Sequence, residues 1–121
     1  MAVAHFIDHW EFTLKEGKSQ QLLDWLQDHE AELAASFPPG CSWLGLFGAV
    51  IGGESGAGWH MLFGLDTYGA LDALARTGRD EHSDFGRLSG ELLSFFDQSN
   101  AARGGRWLYR AAPDIFVIGN A

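Results

Sequence analysis

Residues 5–14 alternate with a period of two, which places every second side chain on one face of a strand. Phe6, Asp8, Trp10, Phe12 and Leu14 fall on one side, and His5, Ile7, His9, Glu11 and Thr13 on the other. A carboxylate thus sits amid an apolar face, and two histidines and a glutamate line the opposite one. Buried groups of this kind need partners or a ligand. After Lys15-Glu16-Gly17-Lys18, a turn with glycine free to take positive φ, the period becomes helical: Leu22, Leu26, His29, Leu33 and Phe37 recur on one stripe, broadened by Leu23 and Trp25. Ser19 is the expected N-cap, and Pro38-Pro39-Gly40 ends the helix.

Residues 42–51 and 59–65 read as two strands joined by a glycine-rich hairpin loop over 52–58. That loop has neither glycine order of a nucleotide-binding loop and precedes a strand, so a phosphate cradle is rejected. Asp66 or Thr67 is expected to cap a short helix bearing Tyr68, Leu71, Leu74 and Ala75, broken by Thr77-Gly78-Arg79-Asp80. Ser83 and Asp84 start another, with Phe85, Leu88, Leu92 and Phe95 or Phe96 on its stripe. Residues 107–110 form a fourth strand, and the apolar, β-branched tail 114–118 is expected to pair as an extra C-terminal strand or arm. The order is β-α-β-β-α-α-β plus the tail, in a single domain over 1–121 with no repeat or linker.

The second and third strands are apolar on both faces: Leu44, Leu46 and Val50 back onto Trp43, Phe47 and Ile51. An antiparallel sheet normally keeps one wet face. Helices can cover one face only, and an exposed sheet face of this kind exceeds the apolar patch a monomer tolerates. A homodimer is therefore expected. Eight basic against sixteen acidic residues, a net charge of −8, argue against nucleic acid and against anionic membranes as partners. One cysteine, Cys41, rules out an internal disulfide. No signal peptide is visible, and no apolar run approaches the roughly 20 residues that cross a bilayer. A cytoplasmic protein is the expectation.

Phe12-Thr13-Leu14-Lys15-Glu16-Gly17-Lys18, the stretch from Met61 to Leu74, and the aromatic-bearing last helix opening at Ser83-Asp84-Phe85 resemble the corresponding stretches of the dimeric α+β-barrel superfamily, with the best likeness to its antibiotic-biosynthesis-monooxygenase and NIPSNAP-like groups. The resemblance spans the chain and speaks to fold rather than chemistry. It implies a ferredoxin-like α+β fold: a four-stranded antiparallel sheet in the order 4-1-3-2, helices on one face, and a partner's sheet closing the other into a barrel. It also implies a small-molecule pocket between the sheet and the chain's own helices. Haem-degrading members of this superfamily use an Asn on the first strand, a Trp ending the third and a His on the last helix. The nearest positions here hold Trp10, Leu65 and Leu88 or Ser89, a departure from that set. Where monooxygenase members often have a His just before the aromatic that opens the last helix, this chain has Asp84, with His82 two residues earlier.

Strand parity then aims Asp8, Trp10, Trp59 and Met61 at the pocket, with His29 looking down from the first helix, His82 near the mouth and Phe85 shaping the wall. A carboxylate among aromatics suits a general base, and His29 would serve as its orienting partner. The leading expectation is a small-molecule-binding protein of the cofactor-independent oxygenase, cyclase or isomerase kind, acting on an aromatic or polyketide-like compound. Asp8 and His29 would be catalytic, and Trp10, Trp59, Met61, His82 and Phe85 would bind substrate. The second reading is a non-catalytic binder of a metabolite or haem. No metal and no cofactor are expected. Residues two apart on one strand face lie roughly 7 Å apart, so His9, Glu11 and His60 are the only set able to reach one ion. For them a polar network at the dimer interface is the simpler expectation. The serines show no nucleophile elbow.

Overall fold

In the computed structural model, residues 5–48, 58–97 and 105–111 are described. The elements run β1 (Phe6–Phe12), α1 (Ser19–Ala35), β2 (Cys41–Gly48), β3 (Trp59–Leu65), α2 (Ala70–Arg79), α3 (Asp84–Leu93) and β4 (Arg106–Arg110). The strands form one antiparallel sheet in the order β2-β3-β1-β4, the expected order read from the other edge. Residues 49–51, most of the loop at 52–58 and the tail at 114–118 lie outside the described residues.

The core lies between the helices and one face of the sheet. Phe12, Met61 and Leu65 from the sheet meet Leu22, Trp25 and Leu33 of α1, Leu74 of α2, and Phe85, Leu88 and Leu92 of α3. Each such side chain contributes about 1.5–3 kcal/mol by leaving water. Phe96, just past α3, is fully buried. It pairs with Leu14 in a short bridge, and Lys15 N–H and Asp97 N–H complete that pairing by donating to the Phe95 and Thr13 carbonyls at 2.9 and 2.8 Å. The segment after α3 thus extends the first strand's ladder, a role the helical stripe does not reveal.

Three local expectations are corrected. Ser19 is the first helical residue rather than the cap. Gly17 turns the chain at φ +76°, and Lys18 already holds helical dihedrals without a capping side chain. The helix ends at Ala35, and Ser36 Oγ donates to the Leu33 carbonyl at 2.7 Å. Phe37 lies outside it because the residue before a proline is disfavoured in the α region. α2 begins after Gly69, not at Asp66 or Thr67, and continues through Thr77 and Gly78 to Arg79. Arg76 and Arg79 in its last turn favour that end of the helix dipole. α3 starts as expected: Ser83 Oγ accepts from Gly86 N–H at 2.9 Å. The same hydroxyl is 2.7 Å from the Asp80 carbonyl and 3.0 Å from that of Thr77, so it ties the end of α2 to the start of α3. Cys41 is half-buried and donates weakly to the Ala70 carbonyl. Burial and then Asp66 push its thiol pKa up, away from reactivity.

Candidate functional site

A cavity of about 560 Å³ opens between the sheet and the helices. Its sheet wall is a block of side chains set by register. Asp8 stands opposite Phe63, which stands opposite Trp43; Arg106 stands opposite Trp10, then Met61, with Leu46 next in that row and beyond the lining. From the helices and the α1–β2 turn come Leu33, Phe37, Leu71, Leu74, Phe85 and Leu92. Phe37 packs edge-on to Phe85 with ring centres 4.6 Å apart, and Phe63 lies 5.5 Å from Phe37. The polar end is Asp8 with Arg106; Glu11 reaches the lining only as the β1 residue between Trp10 and Phe12, since strand alternation turns its side chain to the other face. Apart from these, Arg79 and Ser89, the lining is apolar, with aromatic rings from Trp10, Phe12, Phe37, Trp43, Phe63 and Phe85.

The polar end is closely built. Asp8 is fully buried, yet Arg106 Nε and Nη2 donate to its two carboxylate oxygens, each at 2.9 Å. Trp10 Nε1–H donates to Oδ2 at 3.0 Å, and the guanidinium also lies 4.1 Å from the Trp10 ring centre. A fork-on-fork guanidinium–carboxylate pair is the strongest neutralising arrangement available to a buried carboxylate. Asp8 is thus a satisfied hydrogen-bond acceptor, and its charge is balanced by Arg106. Two other indoles follow the same rule, Trp43 donating to Glu30 at 2.9 Å and Trp25 to Glu91 at 3.2 Å.

Of the residues expected at the pocket, Asp8, Trp10, Met61 and Phe85 line the cavity. His29 does not: its ring rests on Trp25 at 5.1 Å, with Nδ1 3.8 Å from Glu32. The i+4 spacing from Trp25 that puts it on the apolar stripe leaves it beside that indole rather than over the sheet. The base–orienter pairing with Asp8 is therefore not assembled. His82 is exposed, its backbone N–H held by the Asp80 carboxylate in the α2–α3 turn. Trp59 sits on the expected side of the sheet, level with Phe12, but its ring lies by Gly48, beyond the cavity lining.

Trp43 and Arg106 are lining residues that the sequence reading did not place at the pocket. Strict alternation over 42–51 separates Trp43 from Leu46. Between Trp43 and Gly45, however, the register slips by one residue, with Gly45 at φ +135°. This bulge at Leu44 returns Trp43 and Leu46 to the same, helix-side face. Glycine inside a strand was the available signal. Arg106 falls just outside the expected fourth strand; the signal for it was an unpaired acid on the neighbouring central strand.

Haem iron is held by His, Cys or Tyr, or by Met paired with His. Of these, the described residues that line the cavity offer only Met61, without a histidine to pair with it, so this lining does not fit haem.

On the other face of the sheet, His9 Nε2 and His60 Nδ1 are 2.8 Å apart, one imidazole donating to the other. His9 Nδ1 is 3.4 Å from the Tyr109 hydroxyl, and the Trp107 ring stacks on His9 at 5.1 Å. Desolvation lowers the His9 pKa, nearby His60 lowers it further, and Glu11 and Asp8 partly oppose this. An unfolded histidine titrates near about 6.5. Below that pH the unfolded chain takes up the proton first, so the stability His9 contributes is complete above it and drains as pH falls through the folded value. The His9 imidazole is expected to titrate below the ordinary histidine value by NMR, and His9→Gln to flatten the acid-side loss of stability. A His9 midpoint above the ordinary value would contradict this.

No protein-family model and no curated protein sequence matches the chain. Solved structures do. An uncharacterised NIPSNAP-domain protein from Burkholderia xenovorans aligns at TM-score 0.62 and 10% identity, covering 88% of this chain and 94% of its own. A NIPSNAP family protein from Agrobacterium tumefaciens aligns at TM-score 0.62 and 12% identity, covering 93% and 90%. A candidate antibiotic biosynthesis monooxygenase from Chloroflexus aurantiacus aligns at 0.50 and 14%, covering 88% and 92%. No helix among the described residues is long and apolar enough to cross a membrane. With its β-α-β-β-α-α-β order and its single antiparallel sheet, the chain has the ferredoxin-like α+β fold found in these NIPSNAP-domain and antibiotic-biosynthesis-monooxygenase-like structures.

Proposed function

We propose that the protein binds a small, planar, largely apolar molecule with one neutral polar group in the cavity between sheet and helices. The observation that carries this reading is the lining itself: aromatic walls from Trp10, Phe37, Trp43, Phe63 and Phe85 around a polar end where Asp8 and Arg106 balance each other. Binding sites of this kind are concave, mostly apolar and oriented by a few polar groups. Because Arg106 is already neutralised by Asp8, the polar end favours a hydroxyl or carbonyl over a net charge. Acid–base turnover on Asp8 would require breaking its bonds to Arg106 and Trp10. The geometry therefore supports binding ahead of catalysis.

1-Naphthol is a suitable probe. It is expected to quench tryptophan fluorescence saturably at one molecule per chain and to bind more tightly than 1-naphthoate. Leu71 lines the cavity from α2 and is half-buried. Leu71→Trp would project into the open volume and weaken 1-naphthol at least about tenfold, some 1.4 kcal/mol, while leaving the circular dichroism unchanged. Equal affinity in the variant would place the ligand elsewhere.

The chain is further proposed to act as a homodimer joined through the open sheet face. Phe47, Trp107 and Tyr109 are exposed there, and a second copy of the same face would bury them in a two-fold contact. Light scattering is expected to give twice the chain mass at micromolar concentration, and Phe47→Glu to give the monomer. A monomer in the unmodified protein would remove this part of the reading.

A further inference from the structure

The geometry points to a binding site for one divalent transition-metal ion of the zinc class, built by His9, Glu11 and His60 on the sheet face opposite the cavity. Glu11 and His60 are direct cross-strand partners on β1 and β3, and His9 is the next residue of the same face along β1. One ligand atom from each of the three lies within 4.8 Å of the others, and all three side chains are half-buried. Two imidazoles and a carboxylate suit Zn²⁺, Co²⁺ or Ni²⁺ rather than the all-oxygen preference of Mg²⁺ or Ca²⁺.

The spacing fits. Two nitrogens bound to one ion at roughly 2.05 Å, at angles from octahedral to tetrahedral, are roughly 2.9–3.4 Å apart. His9 Nε2 and His60 Nδ1 stand at 2.8 Å, so a small opening admits the ion; the proton they share moves to His60 Nε2, which leaves His60 Nδ1 free to ligate. Glu11 closes the third position by rotating its side chain toward the pair. The surroundings support the histidine that would need orienting. Tyr109 Oη lies by His9 Nδ1, and Trp107 stacks on the ring. A hydrogen bond from Nδ1–H to the phenol leaves Nε2 as the bare, metal-facing nitrogen, the usual support of a ligating histidine. The three ligands come from one chain, so the set is complete without a partner and without the cavity ligand, and it lies on the same sheet face as the proposed dimer contact, beside Trp107 and Tyr109. Three protein ligands leave further coordination positions open to water or to a donor group of a bound molecule.

The test uses the full chain without a histidine tag, stripped of metal and titrated with Zn²⁺ by calorimetry and with Co²⁺ by visible absorption. The expected result is one Zn²⁺ per chain with a Kd of about 1 µM or tighter and a Co²⁺ ligand-field band. His60→Ala should weaken Zn²⁺ at least about a hundredfold, Glu11→Gln should weaken it about tenfold or more, and His82→Gln should leave it unchanged. Circular dichroism checks the fold of each variant. If His60→Ala does not fold, His9→Gln replaces it. Substoichiometric or millimolar binding, or a Kd and Co²⁺ spectrum that His60→Ala and His9→Gln leave as they were, would overturn the site.

Discussion

Arg106→Ala is expected to destabilise the fold by about 3 kcal/mol, and Asp8→Asn by only about 1 kcal/mol. The asymmetry follows from where the two ends of the pair sit. The Asp8 side chain is 1% exposed and that of Arg106 is 48% exposed. Removing Arg106 strands a carboxylate in an aromatic enclosure, with the Trp10 indole still donating to one of its oxygens. It also strips the guanidinium from the face of Trp10. Removing the charge of Asp8 leaves a guanidinium that water can reach, while an amide oxygen still accepts from Trp10. Taking away the exposed partner of a buried charge is the costly direction, because the desolvation of that charge is no longer compensated. Urea unfolding of both variants at neutral pH measures the difference, and a larger loss for Asp8→Asn would refute it. The same two variants bear on the cavity. Asp8→Asn frees the positive charge of Arg106 and is expected to shift preference from 1-naphthol toward 1-naphthoate.

Gly86→Ala is expected to cost about 3 kcal/mol, at the upper end of overpacking effects, although alanine is the better helix former by about 1 kcal/mol. Gly86 lies in the first turn of α3, where its N–H is held by Ser83 Oγ. A Cβ there would overlap the Asp80 carbonyl and crowd Ser83 Oγ. The carbonyl belongs to the turn that joins α2 to α3, so it cannot swing aside as a long side chain would, and the Ser83 hydroxyl is committed to three contacts. Propensity and packing thus oppose each other, and the backbone clash outweighs the gain in propensity. Gly90, on the same helix, has nothing within 4 Å of the site of a Cβ. Gly90→Ala should follow propensity and stabilise by up to about 1 kcal/mol. Thermal unfolding of the two variants in parallel separates the effects; a Gly86→Ala variant as stable as the parent would rule out the clash.

How much of this was legible in the residues differs from element to element. The period of two over 5–14 sorted Asp8 and Trp10 from His9 and Glu11 correctly, because alternation on a strand is a geometric necessity wherever the ladder is regular. The third strand matched its boundaries, and Ser83 marked the start of α3, because an N-cap hydroxyl is a local device. Alternation misled on β2, where one extra residue at Leu44 reversed the parity and hid Trp43 from the pocket. It was silent on Arg106, whose meaning depends on a partner 98 positions away.

The sequence by itself determined the element order, the helix-side face of β1, the excess of apolar sheet surface and the short list of titratable groups. These follow from local sterics and periodicity, which act over a few residues. Only the tertiary structure decided what those groups do. It showed that Asp8 is neutralised by an arginine from the opposite end of the chain, that His29 rests on Trp25 outside the cavity, and that His9, Glu11 and His60 converge across two strands. Partnership between charged side chains is set by strand register and by bulges, which bring together residues far apart along the chain, and no local pattern encodes that distance.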